Sequence, residues 1–566
     1  MFKIKLSAVF GLIIILSALL LGQTTPGAVY AEDVYDTLRL KYRQKLTGYD
    51  PSAPYDLSDP HIRSYIERLD QAAGNYWQSM NHTTHVWDDL EGPSAEDSAA
   101  LLSIFQRLET MAKAWATYGS VYYQDTQLLY DVIAGLDWLY KNRYNENTSQ
   151  YDNYWEWEMG IPLRLNDMVV LLYDVLTSEQ ISNYMRAIDH FAPNVYKTAA
   201  NRVWQCKVVT LRGIIGKEPD KIQAGSDGLN EVFSYVTTGD GFYRDGSFIQ
   251  HDDYPYAGGY GAALLYHLSD LLWILDGSPW DNTSPERDNI YEWVYRTYEP
   301  VLFRGTVLES VRGREISRPF TQSLLELPVG RTRIVEGLLI LTDFADSSQV
   351  NKISSIFKHH LENGDREILF RHLSLWYIQK AKSILNDPAI PSAPPLVGNF
   401  QFYNQDRVVH RRSGWVFDIA MHSDRIRNYE WLNGENPKGW YTADGMTYLY
   451  LNPEDYNFIF WSTVDPHRLP GITVDRDPSR PDGDACCSLM PNSWVGGATL
   501  EGMYGVAGMD FQQHDYSNMD LRARKSWFMF DDEIVALGAG IHSTSGRAIE
   551  TVVEKRTLNS QGDNAL

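Results

Sequence analysis

The chain has 566 residues, more than one domain ordinarily holds; at roughly 150 residues per domain it divides into three or four, or into two large ones. Lysine and arginine total 50 against 73 aspartate and glutamate, a net charge of −23, which excludes a general nucleic-acid binder for want of cations to neutralise phosphates. Hydrophobic residues at 44% exclude a disordered chain, and aromatics at 13% supply enough rings for a core plus a minority that would stack on sugar faces.

Residues 1–31 read as a secretory signal. Lys3 and Lys5 precede an apolar run over 6–21, and the segment closes on Ala28-Val29-Tyr30-Ala31. The run is short for a membrane anchor and no second run of about 20 apolar residues follows, so no span is expected after signal removal and the mature protein is expected outside the cell. Over 32–385 the pattern is helical. In 97–117, Leu101, Ile104, Phe105, Leu108, Met111, Ala112 and Trp115 fall on one face at a period near 3.6. Similar stretches cover 129–142, 167–193, 203–216, 258–275, 288–303 and 331–343. With no strand signals between them they predict antiparallel helical hairpins, as a bundle or a toroid.

Residues 386–400 carry Pro388, Pro391, Pro394 and Pro395 and form a linker that no helix would tolerate. Beyond it, over 401–566, stretches such as 414–422 and 525–541 are β-branched and aromatic between Gly- and Asp-rich turns, which predicts an all-β domain, incomplete at its C-terminal end. The fold class is thus a multidomain α+β chain. The three cysteines, Cys206, Cys486 and Cys487, read as structural or incidental: the adjacent pair is awkward to bridge to itself and too sparse for zinc.

Common catalytic signatures are absent: no HExxH, no GxxxxGK[ST] and no paired CxxC. The acidic run at 475–484 lacks calcium-loop spacing and reads as solvated, so a structural calcium is unsupported. Three other segments stand out. Residues 240–262 crowd His251, Tyr254, Tyr256 and Tyr260 into an irregular stretch that opens into a helix, a common way to present side chains in a cleft, although a lone histidine is more often structural. Residues 151–167 set Asn153, Tyr154, Trp155 and Trp157 side by side. Residues 310–318 hold Arg312, Arg314 and Arg318, suited to gripping a carboxylate or sulfate, or else to pairing with neighbouring acids.

Taken in order, Asn153 to Pro162, Ala200-Asn201-Arg202, the 240–260 segment and Arg312 to Arg318, followed by 428–445, 469–475 and 524–541, resemble the motifs of polysaccharide lyase family 8, which holds hyaluronate, chondroitin AC and xanthan lyases. The resemblance covers nearly all of the chain after residue 31; it departs at Tyr154, where the family usually has a second Trp, and at the C-terminus, where family members continue. It implies an incomplete α/α toroid followed by an antiparallel β-sandwich, a monomer, an acidic uronate-containing polysaccharide of hyaluronan or chondroitin type as partner, and no cofactor. It also implies roles. Asn201 would hydrogen-bond the uronate carboxylate, Tyr260 would protonate the leaving oxygen, and either His251 or Tyr260 would take the C5 proton. Arg314 would lower the cost of a phenolate and Arg318 would grip substrate. Asn153, Tyr154 and Trp155 would form a stacking patch, and Glu430 and Asn433 would close the cleft from the β domain.

β-Elimination next to a carboxylate demands this set, because removing a proton beside an existing negative charge builds a dianion-like enolate that must be neutralised. Alternatives are xanthan as the substrate, a glycoside hydrolase using a carboxylate pair such as Glu156 and Asp252, and a non-catalytic carbohydrate-binding protein.

Overall fold

Aspartates begin many of the helices. Asp33, Asp59, Asp97, Asp125, Asp346 and Asp365 each accept backbone N–H groups of the helix that follows, so part of the acidic surplus is spent on capping. The computed structural model describes residues 33–91, 96–318, 331–475, 480–484, 486, 488–513, 520–558 and 561–562. The expected signal segment, Cys487 and 476–479 of the acidic run lie outside the described residues.

The helices alternate between an inner and an outer layer. Ser98–Ala116, Ile161–Leu172, Ala199–Gly216, Tyr260–Leu275 and Arg331–Leu341 pack each on the next, and Val34–Thr47 closes toward Leu375–Asn386. Outer partners such as Thr126–Asn142, Ser178–Phe191, Pro219–Gly228 and Ser347–Asn363 back them, which makes the hairpins of an α/α toroid. The inner position explains the sequences: Tyr260–Leu275 is apolar nearly all round and buried along almost its full length, as a helix packed on every side must be.

Two stretches depart from a plain helical pattern. The expected helix over 167–193 is two, broken after Leu172. The 288–303 stretch runs through α, π and 3-10 turns before a two-stranded ribbon, Leu302–Phe303 with Thr306–Val307. A second small sheet, Gly241–Phe242, Phe248–Gln250 and Tyr254–Pro255, lies inside the segment read as irregular, so the helical part does contain strands. Runs of two or three residues are too short to show a period.

The last helix of the toroid ends at Asn386 and the first strand of the β part begins at Gly398. Two four-stranded antiparallel sheets follow, Gly398–Phe402 to Met446–Tyr450 and Val495–Leu500 to Ile534–His542. Val408, Phe417 and Ile419 of the first meet Ala507, Met509, Phe511 and Trp527 of the second to form the sandwich core. The 525–541 stretch is a hairpin, Arg522–Met529 with Ile534–His542. Cys206 is a buried free thiol, and Cys486 is disulfide-bonded. Among the described residues no helix is long and apolar enough to cross a membrane.

Candidate active site

A cavity of about 1270 Å³ is lined by inner helices of the toroid and by loops of the β part. Helical spacing brings side chains to it in columns: Asn201, Trp204 and Lys207 from Ala199–Gly216, and Tyr260, His267 and Asp270 from Tyr260–Leu275.

His251 sits in the three-residue loop between Phe248–Gln250 and Tyr254–Pro255, with φ of 56° followed by 72° at Asp252. Two successive non-glycine residues in the left-handed region are costly and persist where the surroundings enforce them. Here Asp240 does so. One of its oxygens accepts the Asp252 N–H at 2.8 Å, and the other accepts Gln250 Nε2 at 2.6 Å and the Thr198 hydroxyl at 3.1 Å. Thr198 precedes the helix that carries Asn201, so one carboxylate ties the His251 loop to the Asn201 helix. Asn201 is itself buried, and its side-chain oxygen has no hydrogen-bond partner.

Behind these residues lies Glu430, from the β part. It is 3% exposed, and its carboxylate faces His251 Nδ1 at 2.6 Å, Arg314 Nη1 at 2.7 Å and the Tyr256 hydroxyl. Burial alone would raise this carboxyl, but the His251 hydrogen bond and the Arg314 charge lower it to about 2. An ionised carboxylate only accepts, so Nδ1 of His251 carries the hydrogen, which in the neutral imidazole leaves the lone pair on Nε2. Arg314 also reaches Glu435 at 2.7 Å and donates from Nη2 to the Tyr260 hydroxyl at 3.1 Å. Gly313 permits this turn: its φ is +56°, and a Cβ there would collide with the Tyr256 ring. Burial raises the Tyr260 hydroxyl and outweighs the opposing pull of Arg314, so Tyr260 holds its proton at neutral pH. The His251 and Tyr260 rings meet edge-on at 4.7 Å.

An aromatic wall leads away from Tyr260. Trp204 meets it edge-on at 5.9 Å, and Trp155 meets Trp204 at 5.4 Å. Trp155 precedes a π-helical turn, Glu156–Gly160, of the kind often found at functional sites. Tyr154 is 39% exposed, with Lys197 Nζ lying 3.8 Å over its ring, and Asn153 accepts the Trp155 N–H at 3.2 Å.

The structure therefore brings Asn153, Tyr154, Trp155, Asn201, His251, Tyr260, Arg314, Arg318 and Asn433 to one cavity. Three expectations are corrected. Glu430 does not wall the cleft; its burial and three partners make it a support for His251 and Arg314. Arg312, Arg314 and Arg318 are not a free positive pocket, since Glu309, Glu430 and Glu435 pair with them at 2.8, 2.7 and 2.5 Å. Asp252 does not line the cavity, which removes the carboxylate pair of the hydrolase reading. Asp475 and Asp484 of the acidic run pair with Arg547 and Arg480, and among the described residues no acid or histidine cluster suits a metal. Trp204, Glu435 and Lys207 were not foreseen, and Tyr256 stood in the ring-rich segment without an expected role. Trp204 and Lys207 stood three and six residues beyond Asn201, a helical-face signal; Glu435 gave none.

Comparison with known proteins places these features. The N-terminal alpha-helical domain of polysaccharide lyase family 8 matches residues 48–359, and its super-sandwich domain matches 397–565. A xanthan lyase of Bacillus sp. (strain GL1) is 40% identical over 98% of this chain and 59% of its own length. A hyaluronate lyase of Thermasporomyces composti is 34% identical over 95% of this chain and 68% of its own. Among solved structures, Paenibacillus xanthan lyase superposes with a TM-score of 0.86 at 41% identity, covering 94% of this chain and 50% of that one. Streptomyces coelicolor A3 chondroitin AC lyase in complex with chondroitin sulphate gives 0.86 at 34%, covering 94% and 73%. The chain thus spans between half and three quarters of the length of these relatives.

Proposed function

Because the chain belongs to polysaccharide lyase family 8, we propose that it cleaves a uronate-containing polysaccharide by β-elimination, as a secreted enzyme that needs no metal for its chemistry. The observation that carries this reading is the convergence of Asn201, His251, Tyr260 and Arg314 on one cavity wall, with the His251 tautomer set by Glu430.

The steps follow from the protonation states. Asn201, which lines the cavity, donates its side-chain amide N–H to the uronate carboxylate and so stabilises the charge that develops there. The free Nε2 of His251 takes the C5 proton. The electron pair forms the C4–C5 double bond and breaks the C4–O bond, and Tyr260 delivers its proton to the departing oxygen. Arg314 then stabilises the phenolate left on Tyr260. Resetting requires the proton on His251 to return to Tyr260, across edge-on rings 4.7 Å apart. This reading makes His251 the base and Tyr260 the acid, since a buried, protonated phenol suits donation.

Xanthan joins hyaluronan and chondroitin as a candidate substrate, on the strength of a 40% identical relative that is a xanthan lyase. The test is to incubate each polymer separately and follow the ultraviolet absorbance of the unsaturated uronate. Absorbance rising with one polymer is expected; new reducing ends without it would mean hydrolysis and overturn the lyase reading.

A further inference from the structure

Further along the same cavity, the inner helices place a second group of charges. Asp270 stands ten residues beyond Tyr260 on one helix, ~15 Å along its axis, too far to take part in the elimination. Its carboxylate is shared by two lysines: Lys207 Nζ lies 2.5 Å from one oxygen and Lys45 pairs with the other. Arg333 lines the same space with no ion-pair partner among the described residues. The carboxylate it feels most, Glu315, lies 3.2 Å from Arg318. Glu336, one turn from Arg333, is 2% exposed, lines the cavity, and has one carboxyl oxygen without a hydrogen-bond partner.

Two lysines therefore share one ionised carboxylate, and Arg333 beside them has only Glu315, which Arg318 also holds. Burial pushes the Glu336 carboxyl up to about 8, so at neutral pH it offers a hydroxyl donor rather than a further negative charge. Burial also holds His267, which shares this space, far below its ordinary value and therefore neutral. The adjoining network does not absorb the excess, because Glu109 already serves both Lys113 and Arg164, and burial and the neighbouring Glu109 raise the Asp167 carboxyl. Uncompensated buried charge is expensive, and an anion would relieve it.

We propose that this floor is an oxyanion-binding compartment that takes one carboxylate- or sulfate-type group between Lys45, Lys207 and Arg333. The group is either an acidic substituent of the polysaccharide or a free inorganic anion. The site does not depend on the lyase reading.

Calorimetric titration of the full chain with sodium sulfate at fixed ionic strength tests it. Saturable single-site binding is expected in the wild type and in Tyr260→Phe, weakened at least tenfold in Arg333→Gln and Lys207→Met. Sulfate should raise the Tm of the first pair and not of the second, and two floor variants guard against one failing to fold. Absence of saturable binding, or unchanged affinity in either folded floor variant, overturns the proposal. A uronate-containing tetrasaccharide that displaces sulfate from Tyr260→Phe assigns the compartment to substrate; one that binds alongside it assigns the compartment to a free anion.

Discussion

Around Tyr260 each guanidinium has a carboxylate of its own, whereas ten residues further along the same helix Lys45 and Lys207 share Asp270 and Arg333 has no ion-pair partner among the described residues. The first arrangement fixes geometry: Arg314, braced by Glu430 and Glu435, is held to one position at the Tyr260 hydroxyl. The second leaves charge unspent. Matched pairs in a cavity are positioning devices, and unmatched charge marks a place for something brought in from outside. The chain's net charge of −23 hides both, because a polyanionic substrate meets the local field of the cavity as well as the mean one.

Experiments on the matched wall should give the larger effects. Tyr260→Phe removes the proton donor and should take turnover to background while polymer binding persists; substantial remaining activity would exclude Tyr260 as the acid. Glu430→Gln keeps the shape but frees His251 to adopt the wrong tautomer. A loss of ~10²–10⁴ in kcat is expected, with KM little changed, in steady-state kinetics. Near-normal kcat would show that the tautomer needs no fixing. Asn201→Ala should cost ~10²–10³ in kcat; an effect confined to KM would reduce Asn201 to a binding contact.

The smallest effect separates wall from floor by pH. Glu430 is lowered to about 2, so the stability it contributes is complete above the ordinary carboxyl range near pH 4.5 and is lost as pH falls toward 2. Glu336 is raised to about 8, so the folded state keeps a proton that the unfolded chain has released. Stability should therefore decline as pH rises from about 4.5 to 8, by on the order of a few kcal/mol. Thermal melts from pH 5 to 8 should show a shallower decline in Glu336→Gln than in the wild type; parallel curves would contradict this assignment.

The helix-then-sandwich order and the residues Asn201, His251, Tyr260 and Arg314 were legible because they lie in ordered local motifs. What was hidden is non-local. Glu430 meets His251 across 179 residues, and Arg314 meets Glu435 across 121, and no periodicity encodes such distances. Lys207 and His267 were readable in principle, at six and seven residues beyond Asn201 and Tyr260. Both helices are buried nearly all round, so no solvent-facing stripe set these polar positions apart.

One consequence follows from where the two supporting glutamates reside. Glu430 and Glu435 come from the β part and the groups they brace come from the toroid, so the reactive protonation state is assembled in trans across the proline-rich stretch 386–400. That stretch acts as a tether. A short tether sustains an effective concentration in the millimolar range, far above what two separate polypeptides reach in dilute solution. Severed there, the halves would have to recover the His251 tautomer by mutual affinity alone, and activity would become dependent on protein concentration.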